Sequence, residues 1–188
     1  GIWQGWTWRE VDEEVRIIAS GLSQLGFKRG DRLAIIGENR PRLYCSMTAA
    51  QALGGVPVPL YQDAVAQEMA FVLQDTAAVI AIAEDQEQVD KMLEVREQCP
   101  QLAHIWFDDP RGLRKYEEPG LSSLEALCQA GDAWVTQYPG FFEAEVARTQ
   151  PHDVAAMFFT SGTTGNPKGV VHTHFSRLDR AAAGQKFD

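Results

Sequence analysis

From Thr160 to Gly169 the chain reads Thr-Ser-Gly-Thr-Thr-Gly-Asn-Pro-Lys-Gly. Hydroxyl donors come from Thr160, Ser161, Thr163 and Thr164. Gly162, Gly165 and Gly169 permit positive φ and carry no Cβ to hold a ligand away, so successive backbone N–H groups can turn toward one anion. Lys168 adds a mobile positive charge, and Pro167 restricts the backbone just before it. Residue types in this density and order point to a phosphate group.

The spacing excludes two familiar alternatives. A Walker loop places its lysine directly after a glycine and a hydroxyl directly after the lysine; here Lys168 follows Pro167 and precedes Gly169. No G-x-G-x-x-G is present, which removes the dinucleotide fingerprint. Gly, Thr, Asn and Pro also compose ordinary turns. Apolar stretches on both sides, Met157–Phe159 and Val170–Val171, favour the phosphate reading over a plain turn.

Other reactive residue types carry less. His172 and His174 lie two apart, so on an extended strand both would face one side, yet no Ser or Cys nucleophile pattern accompanies them. They are expected to be structural. Cys45, Cys99 and Cys128 show no metal spacing and suit a reducing cytoplasm; Cys45 and Cys128, on apolar helical faces, are expected to be buried thiols. Trp3, Trp6 and Trp8 lack interleaved Lys or Arg and are expected to anchor a helix in the core rather than stack on bases.

The elements that must position the loop follow an alternating pattern. Thr7-Trp8-Arg9-Glu10 forms a capping box, followed by Val11, Val15, Ile18, Leu22 and Leu25 at helical spacing up to Gly26. An apolar run over residues 32–37 predicts a strand covered on both faces. A helix opening at Pro41, a strand at 56–60, a helix at 65–74, a strand at 79–83, a helix at 87–98 and a strand at 104–107 continue the rhythm. This is the pattern of an α/β fold with a doubly wound, mostly parallel sheet.

From Asp108 to Gln150 the pattern breaks into short helices: one capped at Ser122 and ending near Gly131, another at 132–138, and a third at 141–148. This segment is expected to be a connection across one face. Residues 154–159 return as a buried strand that delivers the phosphate loop at its C-terminal end, where open α/β sheets bind ligands.

The segment Thr160–Val170 resembles the phosphate loop of the adenylate-forming (AMP-binding) superfamily, which includes acyl-CoA synthetases, luciferases and the adenylation domains of peptide synthetases. The resemblance extends to Trp6–Val11, Gly30–Ile35, Gly37–Pro41 and Gly54–Tyr61. The last two are similar to the long-chain fatty acyl-CoA synthetase branch; in other branches the position of Tyr61 more often carries Asn.

The resemblance implies an N-terminal AMP-binding domain, incomplete over 1–188. Its expected parts are a first α/β layer (1–107), a connecting segment (108–150), and a strand, phosphate loop and following elements (151–188). It also implies ATP-dependent activation of a carboxylic acid, foremost a long-chain fatty acid, to an acyl-adenylate with release of pyrophosphate, and then to an acyl-CoA. Thr160, Ser161, Gly162, Thr163, Thr164, Gly165, Lys168 and Gly169 would hold ATP, with Lys168 in the catalytic role and Thr163 on Mg²⁺. Coenzyme A would be the cosubstrate of the longer protein.

Family segments expected downstream, including the ribose contact, the hinge and the C-terminal lysine, have no counterpart in these residues. The 188-residue chain by itself is therefore expected to be inactive. Alternatives are a ligase for an aromatic or amino acid, and a non-catalytic nucleotide-binding module.

A formal net charge of −9 argues against a nucleic-acid surface. No apolar stretch reaches the ~18 residues of a membrane span. The expected location is the cytoplasm, with peripheral contact at the inner membrane surface as a further expectation. The sequence leaves the oligomeric state open.

Overall fold

A computed structural model describes residues 5–160 and 167–184. The first helix, α1 (Trp8–Gln24), begins where its capping box requires: the Thr7 side chain accepts from the Glu10 N–H, and the Glu10 carboxylate accepts from the Thr7 N–H. Its buried stripe is Val15, Ile18, Ala19 and Leu22. Trp8 lies in the first turn, beyond that stripe, and is 87% exposed; Trp6 is also exposed. The expectation of a buried tryptophan anchor is therefore corrected for these two, and Trp3 lies outside the described residues.

Strand and helix then alternate as β1 (Arg32–Ile36), α2 (Pro41–Ala52), β2 (Val56–Leu60), α3 (Ala66–Thr76), β3 (Ile80–Ala83), α4 (Gln86–Glu94) and β4 (His104–Phe107). A 3-10 turn at Arg96–Gln98 follows α4. The strands form one parallel sheet in the order β2-β1-β3-β4, extended at its edge by β5 (Leu121–Ser123).

Side chains alternate between two cores. Leu33, Ile35, Ile80, Ile82 and Trp106 face a layer made by α1, α2 and the helix α5 (Leu124–Gln137). Ala34, Ile36, Ala81, Ala83 and Ile105 face a layer made by α3 and α4. Burial on both faces explains why these strands are apolar throughout, and the arrangement is the doubly wound sheet that the sequence predicts.

The segment after β4 departs from expectation. It supplies the edge strand β5, and α5 runs straight through Gly131 where a stop is predicted. Gly131 is a point of close approach: a Cβ there would lie 2.0 Å from the Ile17 carbonyl oxygen of α1. Gly21 on α1 is equally tight, with a Cβ falling 2.5 Å from the Leu127 carbonyl oxygen. Helices this close need glycine at the crossing, whatever the local propensity. The cap of α5 is Ser123, which accepts from the Ala126 N–H, one residue later than predicted.

After the short helix α6 (Phe141–Ala147), β6 (Val154–Thr160) pairs antiparallel with β7 (Lys168–Thr173), which leads into α7 (His174–Gly184). β6 thus starts a two-stranded sheet of its own rather than extending the parallel one. Residues 161–167 are too few for the crossover that a parallel partner demands. The hairpin rests on the sheet through Phe159 and Met157, which pack with Val58 and Val72.

Candidate functional site

The hairpin sets the neck of the predicted phosphate loop. Thr160 and Lys168 are register partners at its open end, both exposed. By strand alternation they share one face with Phe158 and Val170, while Met157 and Phe159 turn toward the sheet. Among the described residues Lys168 is exposed and has no ion-pair partner. Ser161, Gly162, Thr163, Thr164 and Gly165 lie outside the described residues.

Gly169 is a strand residue, and positive φ is not what its position uses. A Cβ there would come within 3.1 Å of the Phe159 ring. Its lack of a side chain makes room for the aromatic anchor of the hairpin.

Beside the hairpin, at the C-terminal ends of β1 and β2, lies a cleft of about 640 Å³. Ile35, Leu43, Met47 and Leu60 give it an apolar floor, Tyr44 and Tyr61 stand at its exposed rim, and Phe158 of β6 forms the wall on the loop side. Glu38, Asn39, Gln62 and Asp63 supply polar atoms. Mouths of this kind at strand C-termini are where open α/β sheets receive ligands.

Two arginines flanking Pro41 tie the start of α2 to the neighbouring strand exits. Arg40 Nε donates to Glu84 Oε1 at 2.6 Å, directly after β3. Arg42 donates to Glu14 of α1 at 2.7 Å, to Asp108 after β4 at 3.1 Å and to the Cys128 sulfur of α5 at 3.0 Å. Burial pushes the Asp108 carboxyl up, and Arg42 opposes that shift. Burial likewise pushes the Cys128 thiol up to about 11, with Arg42 again opposing. Cys128 is thus an inert buried thiol, as the sequence predicts; Cys45 and Cys99 are buried too, each raised first by burial.

The two histidines do not share a strand face, because β7 ends at Thr173 and His174 opens α7. His172 packs edge-on against Phe158, ring centroids 5.4 Å apart. The His174 N–H donates to the Asp153 carbonyl. Among the described residues neither side chain hydrogen-bonds to a Ser, Thr or Cys. Sequence reasoning passed over Glu84 and Arg40; an acidic residue directly after the apolar run Ile80–Ala83 is the signal that marks the first.

Among the described residues no helix is long and apolar enough to cross a membrane.

The AMP-binding enzyme family model matches residues 1–187, and the chain belongs to that family. It is 32% identical over 92% of its length to the Long-chain-fatty-acid--CoA ligase FadD15 of Mycobacterium bovis, covering 27% of that protein. Over 98% of its length it is 30% identical to the Long-chain-fatty-acid--CoA ligase ACSBG2 of Xenopus laevis, covering 24% of it. The chain therefore spans about a quarter of the length of these curated relatives.

Among solved structures it superposes with a TM-score of 0.77 on the luciferase-like enzyme from the nonluminescent Zophobas morio mealworm, at 21% identity over 96% of this chain and 39% of that one. On the anthranilate CoA ligase AuaEII in complex with anthranoyl-AMP the TM-score is 0.73, at 24% identity over 89% of this chain and 29% of that one. At such identities the likeness establishes the fold.

Proposed function

We propose that this chain is the ATP-handling part of an acid:thiol ligase that activates a carboxylic acid, with long-chain fatty acids as the favoured class, and passes the acyl group to coenzyme A. The observation that carries the reading is the hairpin neck. Thr160 and Lys168 stand opposite each other on one exposed face, beside a cleft at the mouth of a parallel sheet. The family match and the fatty-acid ligases among its relatives support the choice of chemistry and substrate.

In this reading the substrate carboxylate attacks the α-phosphorus of ATP. The bond to the β-phosphate oxygen breaks, and pyrophosphate leaves. Ionised at neutral pH, the carboxylate needs no general base. Lys168 lies where it can neutralise the charge that grows on the departing phosphates, commonly a large catalytic contribution. Hydroxyls of Thr160, Ser161, Thr163 and Thr164, with backbone N–H groups at Gly162 and Gly165, would orient the β- and γ-phosphates.

The donor set suits Mg²⁺ as well. A threonine hydroxyl such as Thr163 is a hard oxygen, and this ion characteristically keeps waters and substrate phosphates as its other ligands. When bound, the ion supplies charge neutralisation across the phosphates. In the second half-reaction the thiol gives up its proton to solvent, its sulfur attacks the acyl carbonyl carbon, and AMP leaves with the electrons of the broken acyl–oxygen bond. We place the protein in the cytoplasm, with contact at the inner membrane surface where fatty acids partition.

Pyrophosphate exchange tests the proposal. The full-length product of the gene should incorporate labelled pyrophosphate into ATP only when its acid is supplied, and a panel of fatty, aromatic and amino acids identifies the class. Lys168→Ala should slow exchange about 100-fold. Exchange with none of the acids, or full exchange by the alanine variant, would overturn the reading.

A further inference from the structure

The body of the sheet contains a side chain placed to hold the cleft in shape, and it belongs to a residue outside the phosphate loop. Chain leaves β1 toward α2 on one face and leaves β3 toward α4 on the other, so the two exits diverge at this point of the rim. Glu84 occupies the gap.

Its backbone N–H donates to the Ile36 carbonyl at 2.8 Å, and its carbonyl accepts from the Asp109 N–H at 2.7 Å. The carboxylate, only 10% exposed, accepts from the Glu38 N–H at 2.5 Å and from Arg40 Nε at 2.6 Å. Gly37 is pressed against it so closely that a Cβ there would fall 2.5 Å from Glu84 Cβ. One residue thus joins the exits of β1, β3 and β4. Burying a charge among these elements is costly unless its partners stay in place, so the bonds hold the turn at residues 37–40 as a unit.

That turn is a wall of the cleft. Gly37, Glu38 and Asn39 line it opposite Phe158. Among the described residues no Lys or Arg lines the cleft, whereas Glu38 and Asp63 do, so these side chains disfavour a triphosphate there and the apolar floor favours a carbon chain. We propose that Glu84 is a positioning residue: through the Glu38 N–H and Arg40 it fixes the wall against which the carbon-rich part of the substrate other than ATP is seated. The inference rests on the ligase reading for its substrates, while the clamp itself stands on geometry alone.

Glu84→Ala, Glu84→Gln and Arg40→Ala, each in the full-length gene product, form the test. In Glu84→Ala the KM for the acid in pyrophosphate exchange, or for the thiol in thioester formation, should rise about tenfold, with the KM for ATP within about twofold. A rise for the acid identifies its tail as the occupant; a rise for the thiol identifies the thiol cosubstrate. Glu84→Gln should recover most of the loss, since its amide oxygen still accepts from the Glu38 N–H, and Arg40→Ala should fall between the two.

Amide hydrogen exchange gives a readout independent of activity. The Glu38 N–H should exchange about tenfold faster in Glu84→Ala than in Glu84→Gln. Unchanged KM values for both acid and thiol in a folded Glu84→Ala protein would overturn the seating role, and equal exchange at Glu38 would overturn the clamp. Were the unsubstituted protein silent with every acid, the ligase reading would fail while the exchange measurement still decided the clamp.

Discussion

The α1–α5 crossing and the β6–β7 hairpin are opposites in how they use glycine and burial. At the crossing, Gly21 and Gly131 let two helix backbones touch, and the surrounding Ile18, Leu22, Leu124 and Leu127 are fully buried. At the hairpin, Val170 and Val171 are exposed, as are Phe175 and Leu178 on the helix that follows, and burial is confined to Ala155, Ala156 and Phe159 of β6. The first region has no room to change without loss of the fold. The second holds Thr160 and Lys168, the ends of the proposed phosphate loop, outside the core, where substitution costs little stability. Stability and the proposed catalysis thus rest on separate parts of the chain.

Substitutions at the crossing should have the largest effect on stability. Gly131→Val must push α5 away from the Ile17 carbonyl and should cost about 3 kcal/mol or more, read as a lowered urea midpoint or as failure to fold. A pH effect comes next. The folded Cys128 pKa, about 11, lies above its ordinary value of 9.0, so the buried thiol's contribution is complete below pH 9 and is lost as pH rises toward 11. Urea unfolding should show stability declining across that window, and declining less in Cys128→Ala. Ser123→Ala, which removes the α5 cap, should cost about 1 kcal/mol by the same measurement.

The smallest stability change belongs to the hairpin. Lys168→Ala should shift unfolding by no more than about 0.5 kcal/mol while exchange falls as given above. A large loss of stability there would erase the contrast between the two regions.

Much of the first half was legible because its signals are local. The Thr7–Glu10 box, Pro41 at a helix start, and the apolar runs at 32–36 and 80–83 each name an element without reference to distant residues. The stretch after Asp108 was less so. Gly131 reads as a helix stop by propensity, and its real role depends on Ile17, more than a hundred residues earlier. β5 is only three residues long and is defined by its pairing with β4 rather than by its own pattern. Trp6 and Trp8 are exposed for the same kind of reason: an aromatic in a capping turn is buried only if something packs over it.

For the candidate site, the phosphate-loop motif was readable as residue types in a fixed order. The partnership of Thr160 with Lys168, the packing role of Gly169 and the rim bonds of Glu84 were not. Residue order alone decided which donors this chain can offer a phosphate and which of its stretches form strands and helices, because those are properties of neighbouring residues. Tertiary structure alone decided which glycines are contacts rather than turns and which carboxylate holds the cleft wall, because close approach and charge pairing join residues that sequence separation leaves unrelated.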